Sequence, residues 1–216
     1  NWCVENGIRF DFAYIPYDDG TVVDNTPRIK LAKKWQDEGF GFLYHPTHNG
    51  WYNSKYEDDY KYDFNLMAKN LQNCIRYFDT NNIKTPYRVL VYPGGSGGNE
   101  EIRNYVRQYV DLAISATESE TNHLADNNQF KLKRYAIEPT TDKPKTLIKK
   151  DIKRLLDNGD WVILYTHLYN FNDNGSTDEN AGSLDNLFEI LTYVNSVCPI
   201  QLTQDVWDTR KSLWIK

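Results

Sequence analysis

Short apolar runs alternate with amphipathic helical stretches along this chain, and that alternation restricts the fold more than any other feature of the sequence. A strand followed by a helix before the next strand needs a crossover, and crossovers build parallel sheets. The runs at 8–16, 40–44, 87–92, 110–115, 131–137 and 161–166 read as strands, with 200–202 as a final one. The first ends at a turn, Asp18-Asp19-Gly20. Thr26-Pro27 opens a helix whose Ile29, Ala32 and Trp35 recur at helical spacing and which Gly39 stops. Phe64, Met67, Leu71, Cys74 or Ile75, and Phe78 form the clearest apolar stripe. Asn99 can cap a helix that runs to the neighbourhood of Gln108. Leu147, Ile148, Ile152, Leu155 and Leu156 mark another, ended by Gly159, and Leu184, Leu187, Phe188, Leu191 and Val194 mark the last. The run at 161–166 is almost continuously apolar, as expected of a strand buried on both faces. Polar loops are expected at 117–129 and 169–182. The pattern predicts a single α/β domain over 1–216, with a parallel sheet or barrel and no internal repeat or linker.

At 216 residues the chain is long enough for one sizeable core. A net charge of −5 gives no reason to expect a nucleic-acid partner, because phosphate binding needs clustered Lys and Arg. No apolar run reaches the length of a membrane span. Cys3, Cys74 and Cys198 are far apart, which argues against a zinc ribbon or a disulfide scaffold. The odd number leaves at least one thiol without an intramolecular disulfide partner, and all three are expected to be buried small apolar residues. The sequence carries no signature of oligomeric state.

In parallel α/β folds the chemistry sits in loops at the carboxyl ends of the strands. Three of the four histidines fall there: His45 and His48 after the second strand, and His167 after the run at 161–166. The fourth, His123, lies in a polar loop, where a solvated side chain is expected. His45 and His48 can converge on one cation, given a third ligand such as a carboxylate, or they can be loop histidines bonded to backbone or water. His167 can act as a general acid or cap a strand end. The run at 94–98 precedes a helix and can bind an anion or an oxyanion through backbone N–H groups, or form a plain tight turn; it lacks the Gly-Lys-Ser/Thr ending of a nucleotide loop. The loop at 49–62 holds Trp51, Tyr52, Tyr56, Tyr60 and Tyr62, which suit sugar rings or are half-buried surface aromatics; Asp58 and Asp59 within it are expected to be solvated.

These segments, in this order, resemble the polysaccharide deacetylase family (carbohydrate esterase family 4, the NodB-homology domain). Asn6-Gly7-Ile8-Arg9-Phe10-Asp11-Phe12 is similar to the strand after the family's first motif, and Asp37-Glu38-Gly39-Phe40-Gly41-Phe42-Leu43-Tyr44-His45 resembles the approach to the second. Val89-Leu90-Val91-Tyr92-Pro93-Gly94-Gly95 looks like the third motif, and Leu164-Tyr165-Thr166-His167 matches the last. The resemblance implies a distorted or incomplete (β/α) barrel that removes acetyl groups from N- or O-acetylated carbohydrate with a divalent metal, zinc being expected. It implies metal binding by His45 and His48, a general acid at His167 and an acetyl pocket at Leu164. Tyr92, Pro93, Gly94 and Gly95 would line the groove or bind the oxyanion, and Trp51, Tyr52 and Arg134 would bind substrate. An extracellular, periplasmic or cell-surface location is expected with it. The family's histidines are four apart, whereas here the fifth position is Asn49, so His48 is a displaced match. The first motif, an Asp-Asp pair supplying the base and third ligand, is expected upstream of Asn1, the chain being read as a fragment or a processed product with weak activity or none by itself; otherwise the protein lacks the base. A non-catalytic carbohydrate-binding or structural domain on the same barrel is the alternative. A metal-free sugar-processing site would need two carboxylates across the groove, and Asp11 and Glu138 are the nearest candidates.

Overall fold

The computed structural model describes residues 2–16, 26–47, 63–93, 100–115, 122, 128–171 and 178–214. The first β-α-β units follow the expected alternation: β1 (Asp11–Tyr14), α2 (Thr26–Asp37), β2 (Gly41–Tyr44), α3 (Phe64–Thr80), β3 (Val89–Val91), α4 (Glu100–Val106) and β4 (Leu112–Ile114). They are preceded by a short helix, α1 (Trp2–Glu5), which the apolar pattern did not suggest. Then come β5 (Tyr135–Ala136), α5 (Lys145–Asp157), β6 (Leu164–Tyr165), α6 (Leu184–Val197) and α7 (Thr203–Trp214). Strands β1 to β4 form one parallel sheet in chain order, and β5 and β6 a second parallel pair. A parallel bridge from Ile114 to Leu132 links the two. None of the described helices is long and apolar enough to cross a membrane.

Every residue of β2, β3 and β4 is buried, as parallel strands covered on both faces require. The pleat sends alternate side chains to opposite sides. Phe42, Tyr44, Leu90 and Ala113 meet Ala32 of α2, Met67, Leu71, Cys74 and Phe78 of α3, and Ile102 and Val106 of α4. Leu43, Val89, Val91, Leu112 and Ile114 pack on the other side against Leu132, Trp161 and Trp207 of α7. A third cluster joins Tyr135 and Ile137 to α5 and α6 through Ile148, Ile152, Leu187 and Ile190. The stripe read on α3 is buried as expected, and Asp63 caps that helix by accepting from the N–H groups of Asn65 and Leu66, both at 3.0 Å.

Several expectations fail. Residues 200–202 are not a strand; the N–H of Ile200 donates to the Asn195 side chain, and the Leu202 carbonyl accepts from Asp205 and Val206 at the start of α7. Only Leu164 and Tyr165 of the run at 161–166 are strand, and residues 162–166 are half-buried, because their partners are the two residues of β5. Asn122, inside the expected polar loop, is buried and bonds to both Lys133 and Trp161, tying β4's neighbour to the approach of β6. Leu147 on α5 is exposed. Of the cysteines, Cys74 is buried, Cys3 half-buried and Cys198 exposed; all three are free thiols, and burial pushes Cys74 up to about 12 against the backbone of His45.

The start of helix α7 is held by a contact that spans almost the whole chain. Asp11 Oδ2 accepts from the Thr203 N–H at 2.7 Å, which satisfies a donor that the first turn cannot satisfy itself. Burial pushes this carboxyl up, with the Thr203 bonds opposing. The approach needs glycine at 41, since a Cβ there would overlap Asp11 Oδ1. Gly41→Ala is therefore expected to lower the unfolding free energy by ~1–3 kcal/mol and to speed amide exchange in α7 more than in α3. Leu71→Ala, in the fully buried stripe, should cost ~2–5 kcal/mol in urea unfolding, with amides in both helices affected alike.

Candidate active site

The carboxyl ends of the parallel strands gather most of the chemistry the described residues carry. His45 follows β2 directly, Tyr92 follows β3, and Glu138 and His167 stand two residues beyond β5 and β6. The register explains the last pair: Ala136 lies opposite Tyr165, so two residues further Glu138 lies beside His167.

Glu138 is the hub. Its Oε1 accepts from the His167 backbone N–H at 2.6 Å, from His167 Nδ1 at 3.1 Å and from the Thr166 hydroxyl at 3.3 Å. Its Oε2 accepts from Asn170 Nδ2 at 2.8 Å. Burial alone would raise its pKa, but these donors outweigh burial and hold the carboxyl below the usual range. A carboxylate acceptor requires the proton on Nδ1, so Nε2 is the nitrogen through which His167 can exchange a proton. The His167 side chain is 43% exposed and that of Glu138 21%, which places the pair at the surface of the edge, not in the core.

His45 is set in the same way. Its Nδ1 lies 3.0 Å from the Val91 carbonyl oxygen, which fixes the proton there and leaves the lone pair on Nε2. Metal-ligating histidines commonly donate the N–H of the other ring nitrogen to a backbone carbonyl or a carboxylate, which fixes the tautomer and the ring orientation. His45 therefore has the donor chemistry of a ligand. His48, with Gly94, Gly95, Trp51, Tyr52, Tyr56, Tyr60, Tyr62, Asp58, Asp59, His123 and the Asp18-Asp19 turn, lies outside the described residues. Among the described residues no three His, Cys, Asp or Glu side chains gather in a group that could hold a metal.

Other candidates take distinct places. Tyr92 belongs to the core: its hydroxyl donates to the Phe130 carbonyl at 3.1 Å and its N–H donates to Ile114 O, so neither is an oxyanion donor. Burial pushes its phenol up. Pro93 is buried and has no N–H. Leu164 packs with the α5–α6 cluster, away from the side of the strand on which Tyr165 meets His167. Arg134 sits with its guanidinium carbon 3.9 Å from the Tyr165 ring centroid, and its Nε is buried without a hydrogen bond. Tyr165 meets His167 edge to face at 5.8 Å. Arg134, Tyr165 and His167 thus form one row beside Glu138. Asp11 and Glu138 do not form a carboxylate pair: Asp11 opens β1 at the amino edge, while Glu138 lies past the carboxyl end of β5.

Because Glu138 is held below its unfolded pKa, the stability it contributes is fully present above that unfolded value and is lost as pH falls through the folded one. Glu138→Gln should therefore flatten the acid limb of the stability profile between about pH 5 and about pH 3. Urea unfolding at neutral and acid pH checks this; an acid limb identical to that of the parent would contradict the hub.

No family model, curated protein or solved structure matches the chain.

Proposed function

We propose that this chain is a metal-dependent carbohydrate deacetylase of the polysaccharide deacetylase type, acting on N- or O-linked acetyl groups of an acetylated carbohydrate. The observation that carries the reading is the matched setting of His45 and His167. Both stand past carboxyl ends of parallel strands, and each is held through Nδ1 by a protein acceptor, so that Nε2 is the working nitrogen. The distorted or incomplete (β/α) barrel of this reading is supported by the sequential order of the strands. Right-handed crossovers then put the helices on one side and let the other close around a core such as that of Leu43, Val91, Ile114 and Trp161.

In this reading His45 and His48 would hold the divalent metal, zinc being favoured by imidazole ligands; of the expected Asp-Asp pair one aspartate would complete the set and the other would take the proton of the attacking water. Bound there, the metal supplies Lewis acidity toward the acetyl carbonyl and acidifies a water. His167 gives its Nε2 proton to the departing amine or alcohol, and Glu138 stabilises the imidazolium and fixes its orientation. In this reading backbone around Gly94 and Gly95 would stabilise the oxyanion; the Tyr92 N–H is bonded to Ile114 and Pro93 has no N–H. The products are acetate and the deacetylated sugar.

The test is metal analysis paired with acetate release from acetylated chitooligosaccharide and acetylated xylan, on the full-length protein. His45→Ala should lose both metal and acetate release. His167→Ala should keep the metal and lose acetate release by about 10²–10⁴-fold, the range of a general acid. A protein that binds no divalent metal and releases no acetate would overturn the reading.

A further inference from the structure

Glu138 takes its donors unevenly: three reach Oε1, whereas Oε2 accepts from Asn170 Nδ2 at 2.8 Å. The imbalance gives Asn170 a particular role. The terminal torsion of a glutamate is broad and close to two-fold, so bonds to one oxygen leave the carboxylate plane free to turn. A donor on the second oxygen fixes the plane, and with it the oxygen that faces His167 Nδ1. A carboxylate only accepts, so the Asn170 amide presents its nitrogen. The amide is itself held. Asn170 belongs to the 3₁₀ turn Leu168–Asn170, its N–H donates to His167 O at 2.9 Å, and the next residue, Phe171, is buried in the α5–α6 cluster. From the other side the backbone at Gly182 comes so close that a Cβ there would lie 2.2 Å from the Asn170 carbonyl oxygen. Gly182 is held in its turn. The buried Asn186 side chain donates to the Asp178 carbonyl at 2.7 Å and to the Ala181 carbonyl at 2.8 Å, and the buried Ser183 caps α6.

We infer that Asn170, backed by Gly182, is a positioning residue for the Glu138–His167 pair, holding the carboxylate in the plane that keeps Nδ1 of His167 bonded and leaves Nε2 to exchange protons. Its consequence for catalysis rests on the proposed deacetylase reading; the arrangement of the pair does not. The same bond helps to hold Glu138 below the usual carboxylate range. The plain alternative is that Asn170 only fills the turn. Any side chain of its shape would then serve equally well, and Asn170→Asp keeps the shape while replacing the donor by an acceptor.

Titration of the Glu138 carboxyl by ¹³C resonance, together with the ¹H–¹⁵N signal of His167 Nδ1–H, tests this role on the full-length protein. Asn170→Ala and Asn170→Asp should both move the Glu138 midpoint to higher pH than in the parent. Both should also lose the Nδ1–H signal near neutral pH to exchange with water. Gly182→Ala, which removes no polar group, should move the midpoint in the same direction. With acetylated chitooligosaccharide the two Asn170 variants should lower kcat by about tenfold to about 10²-fold at unchanged KM, a fraction of the contribution of a general acid. A folded Asn170→Asp with the parent's midpoint and Nδ1–H signal would overturn the inference, as would a folded Gly182→Ala with the parent's midpoint. Acetate release separates the two claims. Shifted midpoints with no acetate released by the parent remove the deacetylase reading and leave the positioning role. Acetate release with unshifted midpoints removes the positioning role alone.

Discussion

Covering a parallel sheet on both faces is the constraint from which the rest of this structure follows. The connections between β1, β2, β3 and β4 carry α2, α3 and α4, which bury Phe42, Tyr44, Leu90 and Ala113 on one side. The opposite side is filled by Leu43, Val89, Val91, Leu112 and Ile114 against Trp161 and Trp207. With both faces committed to packing, the places left for polar chemistry are the strand ends. His45, Glu138 and His167 all lie past carboxyl ends.

Glu138 turns the edge from a set of loops into a site. It joins the end of β5 to the end of β6 through His167 and to the following turn through Asn170. Through Asn170 the same carboxylate also holds the 3₁₀ turn that follows His167. At the other edge Asp11 plays a purely architectural part, capping α7 and so holding Trp207 in the inner core. Two buried or half-buried carboxylates thus have opposite fates: Glu138 collects donors and is held acidic, whereas Asp11 is dominated by burial.

What the sequence revealed depended on how local the cause was. The stripe of α3 was legible because its period and its Asp63 cap lie within one segment. The strand end at Tyr44, with His45 directly after it, was legible for the same reason, and the end of β3 falls one residue before the expected Tyr92. Helix α7 was not, because its sequence is largely polar and its anchors are remote: Thr203 binds Asp11 at a separation of 192 residues, and Asp208 binds Tyr87 at 121. In the sequence Glu138 reads only as half of a carboxylate pair with Asp11, which lies at the opposite strand edge. The partners of Glu138 lie 29 and 32 residues away, and only the register of β5 on β6 brings them together. That register was itself obscured by the apolar run at 161–166, of which only two residues pair as strand. Asn170 lay in what read as a plain polar loop.

His45 and His167 are each held through Nδ1 by an oxygen acceptor, and the proposed function makes Nε2 of His45 a metal ligand and Nε2 of His167 an acid. Side-chain ¹H–¹⁵N correlation spectra of the histidines, recorded near neutral pH before and after zinc addition, test it most directly. The account predicts the Nδ1–H tautomer for the neutral form of both rings and a large zinc-induced shift at Nε2 of His45, with no ligation shift at His167. A proton on Nε2 of His45, or a His45 ring indifferent to zinc, would contradict it.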